Sequence, residues 1–172
     1  MRSILKISIV AVTALLTTGG ALAQATGLSN PGAATPPVGY GAPISLSNAK
    51  KLTAAAMAEA DRIGVPMVVA ITDPAGGLVY LERQDIAMAG AVNVALAKGR
   101  SAALYKRPTK AFEDSLAAGG AGLRVLRLAD AVPVEGGLPI LIDGKLVGAI
   151  GVSGGSGAQD GAVAKAGLDS LR

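Results

Sequence analysis

The chain has 172 residues, a length that allows one ordinary domain with some attached sequence. It contains no Cys and no His, which excludes thiolate catalysis, disulfides, histidine-based triads and ordinary zinc sites. Aromatic residues make up only 2% and the net charge of +4 includes no dense basic run, so we expect no nucleic-acid partner.

The N-terminal segment MRSILKISIVAVTALLTTGGALAQA predicts a signal peptide over residues 1–23. The basic residues Arg2 and Lys6 precede an apolar stretch and a small-residue cleavage site that ends at Ala23, the order typical of secretion. The alternative is an uncleaved anchor, but the apolar run is shorter than the about 20 residues that span a bilayer. We therefore expect a periplasmic or secreted protein with no stable membrane insertion after signal cleavage.

Residues 24–43 are uncharged, rich in Gly, Pro, Ser, Thr and Ala, and lack a hydrophobic period. This composition predicts a flexible leader, so the folded domain is expected over residues 44–172. Apolar residues at helical spacing predict a first helix that ends at Gly64. Two β-rich runs, Met67–Thr72 and Leu78–Leu81, then predict a hairpin.

An Ala-rich helix is expected over residues 87–105, followed by a short helix capped by Thr109 and a further helical piece near 122–128. A second pair of strands and a helix from about Gly157 to Leu171 end the chain. The strands come in adjacent pairs rather than alternating with helices. The sequence therefore predicts an α+β fold with an antiparallel sheet of about four to five strands flanked by helices.

Glycines crowd the stretch GGLPILIDGKLVGAIGVSGG, residues 136–155. Asp143-Gly144 between two aliphatic runs predicts a two-residue hairpin turn, and Ser156 with Gln159 predicts a capping box. The other glycines either serve turns and caps or let a ligand approach the backbone. We expect them to hold open a crevice whose amides, near a helix N-terminus, accept an anionic guest.

Three separated blocks carry a resemblance: VVAITDPAGGLVYLER, ALAKGRSAALYKRPTKAFED and GGLPILIDGKLVGAIGVSGGSGAQDGAVAKAG. In this order they resemble the GlcG/HbpS family of haem-binding proteins, to which the C-terminal domain of PduO-type proteins is also similar. The resemblance covers residues 44–172. It implies a profilin-like α+β domain, assembly as a homo-oligomer, and haem as the cofactor.

The resemblance and the residue chemistry together give a set of candidate site residues. Guanidinium and ammonium groups suit haem propionates, and without His or Cys the iron ligands left are Tyr and Met. We expect Tyr105, which lies beside two cations, to be the metal ligand. Tyr80, Met57, Met67 and Met88 are the other candidates, and the first three of these are interpreted as packing or surface residues. The candidate cofactor-binding residues are Arg100, Tyr105, Lys106, Arg107, Thr109, Gly136, Gly137, Ser153 and Gly154.

Two other functions stay open at this point. An enzyme or binder for a small carboxylated metabolite would use Arg100, Arg107 and the glycine-rich amides, with Asp73, Glu135 or Asp160 as an acid or base. A self-assembling structural domain would instead use its two-sided aliphatic strands for burial. No catalytic step is predicted, and the expected partner is haem or an organic acid.

Overall fold

The protein is described by a computed structural model over residues 37–172, so the predicted signal peptide and most of the predicted leader lie outside the described residues. Four helices, four strands and one 3-10 helix make up the domain. They follow in the order α1 (Leu46–Ile63), β1 (Val68–Thr72), β2 (Leu78–Arg83), α2 (Ala91–Tyr105), α3 (Lys110–Ala117), a 3-10 helix (Gly120–Arg127), β3 (Gly137–Ile142), β4 (Lys145–Ser153) and α4 (Gly157–Asp169).

The strands form one antiparallel sheet in the order β2-β1-β4-β3, which confirms the predicted α+β fold. Both predicted hairpins are present. Asp143 and Gly144 join β3 to β4 with φ values of 50° and 72°, the double left-handed conformation that an Asp-Gly turn supplies.

Helices cover both faces of the sheet. On one face Val68 and Ala70 of β1 pack against Ala91 and Ala95 of α2. On the other face α1 and α4 enclose the larger core, which includes Leu52, Val69, Ile71, Ile140, Ile150, Val152 and Val163. Because β1 is covered on both sides, all five of its residues are buried.

Local sequence signals fix the ends of two helices. The Ser45 hydroxyl accepts a hydrogen bond from the amide of Asn48 at the start of α1, and Gly64 closes that helix in the left-handed conformation. Ser156 and Gln159 form the predicted capping box at the start of α4.

No helix among residues 37–172 is both long enough and apolar enough to cross a bilayer.

One local expectation needs correction. Thr109 precedes α3 but its side chain makes no capping bond, whereas the predicted helical piece near residues 122–128 is present as the 3-10 helix. The register of β3 against β4 slips between Ile140 and Leu141, so Val147 joins the core under α1 and α4 although strict alternation places it on the other face.

The folded chain also begins earlier than residue 44. The Leu146 amide donates to the Gly39 carbonyl, and the amides of Gly41 and Ile44 donate to the carbonyls of Leu146 and Val147, each over 2.8 Å. We call residues 38–44 the N-terminal strap. The predicted leader boundary at Pro43 is therefore wrong, because backbone pairing to β4 overrides a composition that resembles a linker.

Candidate functional site

The glycines of β3 and β4 do not line an open crevice within the described chain. A Cβ atom on Gly151 would overlap the carbonyl oxygen of Ala95, and one on Gly148 would overlap the carbonyl oxygen of Thr72. Beside Gly154, the carbonyl of Pro66 fills the equivalent space. These residues are glycines because backbone packs directly on backbone, so the expectation of a ligand crevice here is wrong for the described chain.

The space beside Gly136 and Gly137 is also occupied, by Lys98 of α2 and by Thr109, the residue before α3. The amide of Gly137 donates to the Thr109 hydroxyl over 2.9 Å, and the amide of Thr109 donates to the carbonyl of Gly137 over 3.0 Å. A Cβ on Gly136 would lie 2.9 Å from Nζ of Lys98. Thr109 is fully buried. It therefore joins two segments of the fold and offers nothing to a ligand at the surface.

A buried ion pair occupies the centre of this glycine-rich region. Nζ of Lys98 on α2 lies 2.6 Å from Oδ2 of Asp160 on α4, and the two side chains are 1% and 3% exposed. The ammonium group also donates to the carbonyl of Val152 over 3.1 Å. Each charge is therefore paired and hydrogen-bonded, the condition under which burial of an ion is tolerated.

Burial raises the pKa of the Asp160 carboxyl above its ordinary value of 3.8. The hydrogen bond from Lys98 and the backbone amides of Gly155 and Gly154 act in the opposite direction, and burial outweighs them. Oδ1 of Asp160 accepts from the amide of Gly155 over 2.9 Å. The anion expected beside these amides is thus the chain's own carboxylate, which leaves no room for an external one. Ser153 is buried beside it at the end of β4.

Tyr105 and Arg107 form a second, separate group near Phe112. The Tyr105 hydroxyl donates to the carbonyl of Ala129 over 2.6 Å, and its ring meets the Phe112 ring edge-on with centroids 5.1 Å apart. The Arg107 guanidinium lies 5.5 Å from the centre of the same Phe112 ring. The phenol expected to bind iron is therefore already engaged in an intramolecular hydrogen bond.

The remaining predicted residues, Arg100 and Lys106, do not line the apolar depression of about 470 Å³ beside the end of α2, but each contacts an element that lines it: Arg100 the β1–β2 turn, and Lys106 the ring of Tyr40. We call it the α2-end depression, and it is lined by Tyr40, Gly41, Pro43, Asp73, Pro74, Ala75 and Leu104. Arg100 lies one turn before Leu104 on α2 and packs against Gly76 of the β1–β2 turn. Its pair with Asp130, at 3.3 Å, is half exposed. Exposed pairs of this kind contribute little, so Arg100 can exchange partners.

Lys106 ties the N-terminal strap to the end of α2. Its Nζ donates to the carbonyl of Val38 over 2.6 Å and lies 3.7 Å from the centre of the Tyr40 ring. This cation–π contact places a positive charge directly on an aromatic wall of the α2-end depression. Asp73, a predicted acid or base, instead accepts hydrogen bonds from the amides of Ala75 and Gly77 and holds the turn.

Glu135 is the last of the predicted acids. Its side chain lies against Gly161 on α4, and its amide donates to the Glu113 carboxylate over 2.6 Å. The predicted set is therefore divided among three places. Arg100 and Lys106 contact elements that line the α2-end depression, Tyr105 and Arg107 surround Phe112, and Thr109, Gly136, Gly137, Ser153 and Gly154 are packed near the Lys98–Asp160 pair.

Two residues that are prominent in the structure, Lys98 and Tyr40, were not predicted from the sequence. Lys98 follows Ala91 and Ala95 and precedes Ala102 on the buried stripe of α2, a spacing that could have identified it as an interior lysine. Tyr40 was placed in the leader, and no local pattern indicates that it folds back on Lys106.

Comparison with known proteins agrees with this fold. GlcG of Escherichia coli K12 is 37% identical over 110 residues, which cover 64% of this chain and 81% of GlcG. A double mutant of HbpS from Streptomyces reticuli superposes with a TM-score of 0.71 at 27% identity, over 82% of this chain and 95% of that one. PduOC, solved as a complex with haem, gives a TM-score of 0.67 at 29% identity, over 74% and 94% of the two chains.

The family model described as "Haem degrading protein HbpS-like" matches residues 44–169, nearly the whole described domain. The match includes both hairpins, α2 with its buried Lys98 and the glycine-rich strand β4. Together with the similarity to GlcG and the two solved structures, it shows that this chain belongs to the HbpS-like family.

Proposed function

We propose that this protein binds haem in the α2-end depression. The observation that carries the proposal is the combination, in a member of this family, of an apolar wall with two cations beside it. Leu104, Pro74 and the Tyr40 ring supply apolar surface for the macrocycle. Haem itself supplies an iron centre whose absorption and redox behaviour depend on its ligands.

The residues at the depression fit the chemical needs of the group. Arg100 contacts the β1–β2 turn and Lys106 contacts the Tyr40 ring, so the two cations lie beside different walls of the depression, as two propionates require. Asp73, which lines the depression, accepts two turn amides through Oδ1, and Asp130 pairs with Arg100. A propionate that displaces Asp130 from Arg100 exchanges one half-exposed ion pair for another, at little cost.

Hemin titration followed by the Soret band tests this proposal. Replacing Arg100 or Lys106 by Ala should weaken binding about tenfold each, because a hydrogen bond to a charged group contributes about 1.5–3 kcal/mol and solvent screens part of it. Arg62→Ala and Lys165→Ala are matched controls, since both cations are exposed and paired within their own helices. An unchanged Soret band on titration, or equal affinity in all four variants, would overturn the proposal.

The carboxylated-metabolite alternative is separated by a thermal-shift panel of organic acids beside hemin. Its predicted amide site is occupied by Asp160 and Thr109, so its remaining support is the two cations Arg100 and Arg107. Stabilisation by small carboxylates that disappears in Arg100→Ala, with no response to hemin, would favour this alternative.

We also propose that the protein is exported, on the strength of the signal-peptide pattern in residues 1–23. N-terminal sequencing after expression in a bacterial host should find Gln24 as the first residue in the periplasmic fraction. An intact N-terminus in the cytoplasm would contradict export.

Self-assembly is the third part of the proposal. Leu123 and Leu126 on the 3-10 helix, and Leu128 just after it, are exposed although large and apolar. Such a cluster favours contact with another protein surface. Light scattering should give a mass above that of one chain, and a strict monomer would exclude this part while leaving the ligand proposal intact.

A further inference from the structure

Few side chains of this protein belong to the types that usually bind haem iron. Histidine and cysteine are absent from the sequence, so Tyr and Met are the usual ligands that remain. Met57 and Met67 are buried in the core. Met88 is exposed but precedes α2, roughly 20 Å along the helix from Leu104 at 1.5 Å per residue. None of these three methionines lines the α2-end depression.

The three tyrosines differ in the state of their hydroxyl groups. Tyr80 donates to the Glu82 carboxylate over 3.0 Å, and Tyr105 donates to the carbonyl of Ala129. Tyr40 lines the depression and is 59% exposed. Among residues 37–172 its hydroxyl has no hydrogen-bond partner, so it can bind a ligand without breaking an internal hydrogen bond.

The backbone around Tyr40 is held on both sides. Gly39 and Gly41 exchange hydrogen bonds with the amide and carbonyl of Leu146, each over 2.8 Å. Lys106 binds the carbonyl of Val38 and covers one face of the Tyr40 ring at 3.7 Å. The ring is therefore positioned before any ligand arrives, which lowers the entropy lost on binding.

We propose that Tyr40 would supply the protein's ligand to ferric haem iron in the α2-end depression, an inference that rests on the proposed haem binding. The phenol would release its proton to solvent, and its oxygen would take the place of a water molecule as a ligand of the ferric iron. The iron keeps its oxidation state throughout. The Lys106 ammonium stabilises the negative charge that the phenolate brings to the iron.

The test uses the full chain loaded with hemin and compares three phenylalanine variants by absorption and resonance Raman spectroscopy. The wild type should show a tyrosinate-to-iron charge-transfer band and tyrosinate ring modes. Tyr40→Phe should lose both signals and bind hemin several-fold more weakly. Tyr105→Phe and Tyr80→Phe should keep them. Tyr80 is a matched control because Lys50 lies over its ring, at 5.9 Å.

A variant that introduces a different ligand tests the assignment of Tyr40 by a new spectrum, even if the other variants bind hemin more weakly. Tyr40→His introduces the only histidine of the chain, and its hemin complex should change from a tyrosinate to an imidazole spectrum. Thermal unfolding of each variant without hemin verifies that the strap is still in place. A hemin complex of the wild type without tyrosinate signals, or one whose signals persist in Tyr40→Phe, would overturn the assignment of Tyr40 and leave haem binding standing. A wild-type protein that binds no hemin would overturn both.

Discussion

The glycine-rich interior around Lys98 and the α2-end depression are packed in opposite ways. In the interior, small residues let α2 approach the sheet until backbone touches backbone, and every space beside the strand glycines discussed above is filled by the chain itself. At the depression, larger residues such as Tyr40, Pro74 and Leu104 leave an apolar surface uncovered. Glycine density in this sequence therefore marks close packing, whereas the candidate ligand surface is built from bulkier side chains.

The largest expected effect that tests this comparison is the loss of the buried cation. Lys98→Met should destabilise the domain by about 3–5 kcal/mol at neutral pH, because the Asp160 carboxylate would stay buried without a counter-charge. Chemical denaturation measures this loss. Lys165→Met is the control, since its partner Asp169 lies on the surface of the same helix, and its effect should be small. Equal losses in the two variants would mean that the interior is open to water.

The loss of stability caused by Lys98→Met should depend on pH in a defined direction. The pKa of Asp160 is raised in the folded state, so the folded protein holds this proton more tightly than the unfolded chain does. The contribution of Asp160 to stability therefore improves as the pH falls through its folded pKa toward 3.8. Removing Lys98 removes a cause that lowers this pKa. The destabilisation by Lys98→Met should thus shrink on acidification, and a loss that grows instead would contradict this sign.

Direct contact between α2 and β4 is tested by adding side-chain bulk. Gly151→Val should cost about 3 kcal/mol, because the new Cβ would overlap the Ala95 carbonyl and α2 could not keep its position. Gly90→Ala is the control, since nothing lies within 4 Å of a Cβ there. Unfolding midpoints would show the difference, and a stable Gly151→Val protein would imply free space between helix and sheet.

Thr109 separates a structural role from a ligand role. Thr109→Val should cost about 2 kcal/mol, because the buried amide of Gly137 loses its acceptor. Thr109→Ser keeps the hydroxyl and should lose less. Hemin affinity of the folded fraction should be unchanged in both variants. A tenfold weaker hemin complex in a stable Thr109→Val protein would return this residue to the binding site.

Much of the fold could be predicted because its signals are local. The Asp143-Gly144 turn, the Gly64 stop and the Ser156–Gln159 box each depend on backbone conformations that few residue types supply. Pairing of the strands in two hairpins followed from the turn chemistry. The order in which those hairpins join, with β1 beside β4, is a long-range pairing that no local pattern specifies.

The candidate site was predicted only in part, because its contacts join residues that are far apart in sequence. Arg100 and Lys106 were identified as cations suited to an anion, and each contacts an element that lines the depression. Tyr105 and Arg107 adjoin Lys106 in sequence, but their side chains contact Phe112, whereas the side chain of Lys106, whose φ is 52°, contacts Tyr40. Tyr40 is 66 residues away from Lys106 in sequence, and its contact with the Lys106 ammonium depends on tertiary packing.

The smallest expected change in stability comes at the depression itself. Lys106→Asn should alter the free energy of unfolding by less than about 1 kcal/mol, because Asn tolerates the left-handed conformation while the half-buried cation–π contact and the bond to Val38 are lost. Hemin affinity should nevertheless fall about tenfold, since the charge is gone. Lys106→Arg keeps the charge and should keep most of the affinity. A large loss of stability in Lys106→Asn would mean that the depression, like the glycine-rich interior, serves the fold rather than a ligand.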